Sequence, residues 1–158
     1  PEIAFSRSPE PGATTRLTAS CWLSAGIEEV FAFFSAPGNL RELTPESVGF
    51  EILTPEPIEM AVGLQLDYRI RLMGVSLRWQ SEICHLSPPF EFADRQTRGP
   101  YRYWLHRHLF EECAGCTRIS DEVDYAPRGG WLVDRLVVRR QLRRIFEFRS
   151  KAIGARFG

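Results

Sequence analysis

Two nine-residue segments, Leu64–Leu72 and Val75–Ile83, alternate apolar and polar side chains around a single Gly74 turn. A period of two belongs to a β-strand with one wet and one buried face, so these segments commit the chain to an antiparallel sheet. In the first, Leu64, Leu66, Tyr68, Ile70 and Leu72 oppose Gln65, Asp67, Arg69 and Arg71. In the second, Val75, Leu77, Trp79, Ser81 and Ile83 oppose Ser76, Arg78, Gln80 and Glu82. Further strands are predicted at Thr14–Leu23, Val48–Leu53, Phe90–Thr97, Tyr101–Glu112 and Thr117–Tyr125. The last two form a hairpin around Ala114-Gly115. Pro55, Pro57, Pro88-Pro89 and Gly99-Pro100 separate the others.

Helical spacing enters at two places. Ile27, Val30, Phe31 and Phe34 predict a short helix over Ile27–Ser35, with Ser24 as its cap; a second helical turn covers Asn39–Leu43 and ends before Thr44-Pro45. From Trp131 to about Phe157 the period becomes 3.6, and Val138, Leu142, Ile145, Phe146, Ala152 and Ile153 make one apolar stripe. At 1.5 Å per residue that helix is roughly 40 Å long, enough to lie along a whole sheet. The fold class is α+β: a curved antiparallel sheet of about seven strands wrapped around a long C-terminal helix, with two short helices after strand 1. A twisted sheet of that size curls, and a straight helix does not fill its hollow, so a cavity is expected between them.

The 158 residues suit one domain (1–158), with Pro1, Pro9 and Pro11 marking residues 1–12 as a flexible N-terminal segment. Apolar content of 44% and charged content of 25% are those of a globular chain. No run of 18 apolar residues is present, and residues 1–12 carry no apolar h-region, so the expected location is cytoplasmic with reduced cysteines. Twenty basic residues, all arginine except Lys151, balance twenty acidic ones. The balance is local rather than uniform. Residues 128–158 hold nine basic and two acidic groups, a net of +7, against −7 for the remainder. Such a helix fits a solvated face or a peripheral contact with an anionic membrane. No nucleic-acid reading motif accompanies the arginines.

Several stretches resemble the START-like SRPBCC superfamily, the helix-grip fold of lipid-transfer domains, polyketide cyclases and pollen-allergen proteins, and within it uncharacterised bacterial ligand-binding members. They are Ala25–Phe31, Asn39-Leu40, Leu43–Pro45, Leu77–Trp79, Arg98–Tyr101, Trp104–His106, Phe110-Glu111 and Asp121–Tyr125. Gly26 stands where related sequences often carry proline. The resemblance implies a pocket for a hydrophobic small molecule and no universal catalytic set.

Chemistry-bearing residues concentrate on Tyr101–Glu112. Arg102, Trp104, His106, His108 and Phe110 share one face, read here as inward, and Tyr101, Tyr103, Leu105, Arg107 and Leu109 the other. On the partner strand, Asp121, Val123 and Tyr125 share a face, so Asp121 is expected to approach His106 or His108 and fix its tautomer. Such a pair either satisfies itself, orients a ligand, or acts as acid and base in a cyclase or dehydratase. The expected pocket lining is Tyr68, Trp79, Phe92, Asp94, Gln96, Trp104, His106, Phe110, Asp121, Tyr125, Leu142 and Phe146. Phe90 and Trp131 belong to the same aromatic set. His106-x-His108 has metal-ligand spacing, with Asp121 or Cys113 as third ligand, and Cys113-Ala114-Gly115-Cys116 has zinc-knuckle spacing without a second pair. The expectation is no metal and no cofactor. A carrier or sensor for a lipid-like or aromatic molecule is the leading function. An enzyme using His106 and Asp121, and a membrane-surface module, are the alternatives.

Overall fold

The computed structural model describes residues 2–158. Eight strands form one antiparallel sheet: β1 (Glu2–Arg7), β2 (Thr15–Leu23), β3 (Glu51–Ile52), β4 (Gln65–Leu72), β5 (Val75–Ser87), β6 (Glu91–Arg98), β7 (Tyr101–Cys113) and β8 (Cys116–Pro127). Their spatial order is β1-β2-β8-β7-β6-β5-β4-β3. From β3 to β8 each strand pairs with the next. Only the step from β2 to β3 crosses the sheet, and it carries helix α1 (Ile27–Phe34) and two 3-10 turns, Pro37–Arg41 and Glu46–Val48. The chain ends in helices α2 (Gly130–Val133) and α3 (Arg139–Phe157), joined by a π-helical turn, Asp134–Val138.

The eighth strand is β1, inside the segment expected to be flexible. Its Ile3 and Phe5 alternate inward and pack against the core of Leu17, Val123 and Tyr125. Pro9 and Pro11 stop the strand rather than prevent it. Beyond it, Ser8 donates a 2.6 Å hydrogen bond to the fully buried Asp124, which also takes Arg16 and Arg107 at 2.7–2.9 Å, and Arg107 in turn contacts Glu10.

Three other expectations shift. Val48 belongs to a 3-10 turn, so β3 is two residues long. Gly26, not Ser24, is the N-cap of α1, and no side chain caps it; the Ser24 N–H goes to the Phe157 carbonyl instead. Glu28 and Glu29 in the first turn favour that helix through its dipole. Finally, Cys113 and Cys116 are not free thiols. They pair across the β7–β8 turn and form a disulfide, while Cys21 and Cys84 remain free.

Curvature comes from register slips. Pairing of β5 with β6 shifts between Gln80 and Ser81 and again between Ile83 and His85, and that of β7 with β8 between Tyr101 and Tyr103. Each extra residue bends its strand and sharpens the twist. Helix α3 lies in the resulting hollow and buries Leu142, Phe146, Arg149, Ile153 and Phe157, with Val138 just before it. The other wall of the hollow is α1, whose Phe31 and Phe34 meet Phe92 and Phe110 edge-on at 5.3–6.0 Å between centroids.

Candidate functional site: a cavity with one polar end

Between the concave sheet and α3 lies a cavity of about 200 Å³. An engineered apolar cavity of ~150 Å³ accepts benzene, and drug-sized pockets run from ~300 Å³ upward, so this space suits one ring with a short chain. Most of the wall is apolar. Leu66, Tyr68 and Ile70 come from β4, Trp79 from β5, Trp104 from β7, and Leu142, Ile145 and Phe146 from α3. Burial pushes the Tyr68 hydroxyl well above its ordinary value, so it stays a neutral phenol.

The polar end is built by register. The two-residue turn Ala114-Gly115 sets the β7–β8 pairing, with Gly115 at φ 77°, so His108 stands opposite Asp121 and His106 opposite Val123. Across the other edge of β7, Asp94 stands opposite His106 and Phe92 opposite His108. Alternation then turns all six inward. His106 Nε2 lies 2.9 Å from Asp121 Oδ1, and His108 Nδ1 lies 3.2 Å from the same oxygen. His108 Nε2 lies 3.2 Å from Asp94 Oδ2. Ser81 Oγ donates to Asp94 Oδ1 at 3.3 Å and accepts from Trp79 Nε1–H at 3.0 Å. Phe92 stacks on His108 with centroids 4.1 Å apart.

The group at the centre of the cluster is Arg149, which is 6% exposed. It sits on the apolar stripe of α3, three residues after Phe146 and four before Ile153. Its Nη2 donates to Asp121 Oδ1 at 3.0 Å and lies 3.2 Å from His108 Nδ1. Phe34 and Phe146 face its guanidinium at 4.9 and 5.9 Å. Sequence reasoning missed Arg149 because it counted only the apolar members of the stripe; a lone arginine at a core-facing position was the available signal.

Charge inside the cluster follows from burial. Burial alone would raise the Asp121 carboxyl, but the Arg149 cation, with the bonds from His106 and His108, holds it well below the usual carboxylate range. Asp94 is likewise held low against burial, chiefly by its bond to His108. Burial, with His108 beside it, pushes His106 down to about 4 in spite of Asp121. His106 is therefore a neutral imidazole at neutral pH.

Of the residues expected to line the pocket, Tyr68, Trp79, Phe92, Asp94, Trp104, His106, Leu142 and Phe146 do line it. Four do not. Gln96 turns aside: its amide donates to the Tyr101 carbonyl at 2.9 Å and accepts from the Tyr101 N–H at 3.2 Å, closing the turn where the β6–β7 ladder has stopped. Phe110 belongs to the core under α1. Asp121 stands behind the two histidines. Tyr125 is fully buried and donates its hydroxyl to Asp134 Oδ1 at 2.8 Å, an anchor that Thr15 and Arg139 share. Tyr101, placed on the opposite face by strict alternation, lines the cavity because the slip beside it turns it inward. Phe90 and Trp131, grouped with the inward aromatics, are 57% and 73% exposed, because Phe90 sits in the β5–β6 turn and Trp131 in the entry to α2.

Asp94, His106 and His108 bring ligand atoms within 4.8 Å of one another, a two-histidine, one-carboxylate set that suits a transition metal by donor type. Asp94, not Asp121 or Cys113, is the third member. The permanent charge of Arg149 beside His108 opposes a cation there.

No family model matches the chain, and no curated protein matches it. Solved structures do. A START superfamily protein from Mycobacterium smegmatis superposes with a TM-score of 0.71 at 14% identity, covering 90% of this chain and 96% of that one. Protein CV1439 from Chromobacterium violaceum gives 0.71 at 15%, covering 90% and 96%. Ara h 8.0201 gives 0.58 at 12%, covering 87% and 96%. The chain therefore has a helix-grip fold like that of these START-like structures. Within that fold, this chain sets a histidine–aspartate–arginine cluster against the hollow that the helix does not fill.

Proposed function

We propose that this protein is a carrier or sensor that binds a hydrophobic small molecule, aromatic or lipid-like, between the sheet and α3. The observation behind the reading is the apolar cavity closed at one end by His106, His108, Asp94 and Arg149. Its size favours a single ring with a short chain over a two-chain lipid, which needs the walls to move. Native mass spectrometry of the purified protein, before and after organic extraction, is expected to reveal one apolar molecule bound per chain. A chain that neither carries such a molecule nor takes one up from a small-molecule library contradicts the reading.

Acid/base catalysis by His106 and Asp121 gains less support. A base works best with a pKa near the operating pH, and His106 at about 4 lies far below neutrality while Asp121 is held by Arg149.

An exposed face favours a second role beside the first, contact with an anionic membrane. Trp131, Leu132, Val133 and Leu136 are all exposed just before α3, among Arg128, Arg135 and Arg140. Met73 and Val75, also exposed, tip the β4–β5 hairpin at the same end of the sheet, since β5 runs past the β6–β7 turn there. Apolar wedges with arginines around them suit an acidic bilayer surface. Flotation with phosphatidylglycerol vesicles is expected to carry the protein along, and Trp131→Ser with Leu132→Ser to release it. Equal flotation with neutral phosphatidylcholine vesicles, or none with either, contradicts this role.

A further inference from the structure

His106 and His108 have two ring nitrogens each, and only one of these is left without a partner. His106 Nε2 meets Asp121 Oδ1 at 2.9 Å, His108 Nδ1 lies 3.2 Å from Arg149 Nη2, and His108 Nε2 lies 3.2 Å from Asp94 Oδ2. His106 Nδ1 has none. That nitrogen is also within reach. Among the described residues, Arg149 Nε is the only unpartnered side-chain nitrogen or oxygen that the protein seals from contact, so His106 Nδ1 is not sealed. The His106 ring lines the cavity. Trp104 and Phe146 flank it there, with ring centroids 6.4 and 5.8 Å away, and neither hydrogen-bonds to it.

The position of the ring proton follows from the partners. Asp121 Oδ1 already accepts from the Arg149 guanidinium at 3.0 Å, and an ionised carboxylate only accepts. His106 Nε2 is therefore the donor in its bond to Asp121. Burial keeps the ring neutral, so Nε2 holds its single N–H and Nδ1 is a bare lone pair. An acceptor set in a mostly apolar wall costs free energy until something donates to it. A ligand carbonyl, ether or carboxylate oxygen brings a second lone pair against the first. An N–H or O–H fills it.

We infer that the cavity selects, among apolar molecules of its size, those that carry an N–H or O–H donor, and that His106 Nδ1 accepts from that donor. This inference rests on the cavity-binding reading above and adds a direction to it: the histidine–aspartate pair orients a donor and not a carbonyl.

Indole and benzofuran test it, because they share one flat bicyclic body and differ in a single place, an N–H in the first and a bare ether oxygen in the second. Both are larger than benzene and smaller than a drug, as this cavity requires. Titrated calorimetrically into the intact protein at pH 7, indole is expected to bind about fivefold tighter or more, the factor that one net hydrogen bond supplies. In His106→Phe, which keeps an apolar ring at that place, the preference is expected to vanish. A second readout uses the natural protein alone, so the test survives if that variant does not fold. In ¹⁵N NMR of histidine-labelled protein, bound indole is expected to move the His106 Nδ1 signal as a bare nitrogen moves when it accepts a hydrogen bond, and bound benzofuran to leave it near its starting place. Equal affinity for the two probes, or tighter binding of benzofuran, overturns the inference and leaves the apolar cavity standing. An indole preference that persists in His106→Phe, or an Nδ1 signal that indole does not move, overturns it as well. Failure of both probes to bind overturns the cavity-binding reading itself, and the inference with it.

Discussion

Replacing Asp121 with alanine is expected to lower the stability of this protein by about 3–5 kcal/mol, a large share of the ~5–15 kcal/mol that holds a domain of this size together. Asp121 is 5% exposed and accepts from Arg149 and His106. Without it, the Arg149 guanidinium stays buried with no opposite charge in contact, and His106 loses the acceptor that fixes its tautomer. The loss measures the stranded charge rather than the worth of the pair. Asp121→Leu combined with Arg149→Met is therefore expected to recover most of it, because no unpaired charge remains. Urea denaturation of the two variants and the natural protein gives both numbers. A loss under about 1 kcal/mol for Asp121→Ala, or a double variant no better than the single, contradicts this account of the cluster.

The second large effect is on pH dependence. His106 has an ordinary value of 6.5 and is pushed down to about 4 in the fold, first by burial. Its folded value lies below its unfolded one, so between those two pH values the unfolded chain binds the extra proton. Stability therefore rises with pH through this window and is lost as pH falls through it. The loss amounts to about 3 kcal/mol. Asp121 and Asp94 are depressed carboxylates, so their contribution is present above the ordinary carboxylate value of ~3.9 and disappears at still lower pH. The two effects thus fall in separate windows. His106→Gln keeps a donor for Asp121 and removes the titration. Unfolding free energies at pH 6.5 and pH 4 are expected to differ by about 3 kcal/mol more in the natural protein than in His106→Gln. Parallel profiles for the two proteins indicate that His106 is not held neutral by burial.

The approach of Asp121 to His106 or His108 was legible in the sequence, because a two-residue turn fixes every later pairing of a hairpin and alternation fixes every face. The same logic misplaced Tyr101. A slip of one residue at the end of β7 reverses the face, and nothing in Tyr101-Arg102-Tyr103 announces it. Gln96 was read as a pocket residue from its parity, yet parity says nothing about the unpaired Tyr101 backbone that its amide satisfies. The N-terminal strand was obscured by Pro9 and Pro11, although Ile3 and Phe5 carry the period of two. The long helix and its stripe were plain, and the arginine on that stripe was present too. Its role needed the third dimension, since only the packed sheet brings Asp121, 28 residues away, within 3.0 Å of it.

The cavity-binding reading depends on α3 leaving space beneath it. Crystals pressurised with xenon test that directly, because the gas enters apolar voids and gives strong density there. The expected result is xenon between Leu142 and Phe146 on one side and Tyr68 and Trp79 on the other. A dry, collapsed interior in which those four side chains touch, with no xenon between them, contradicts the account.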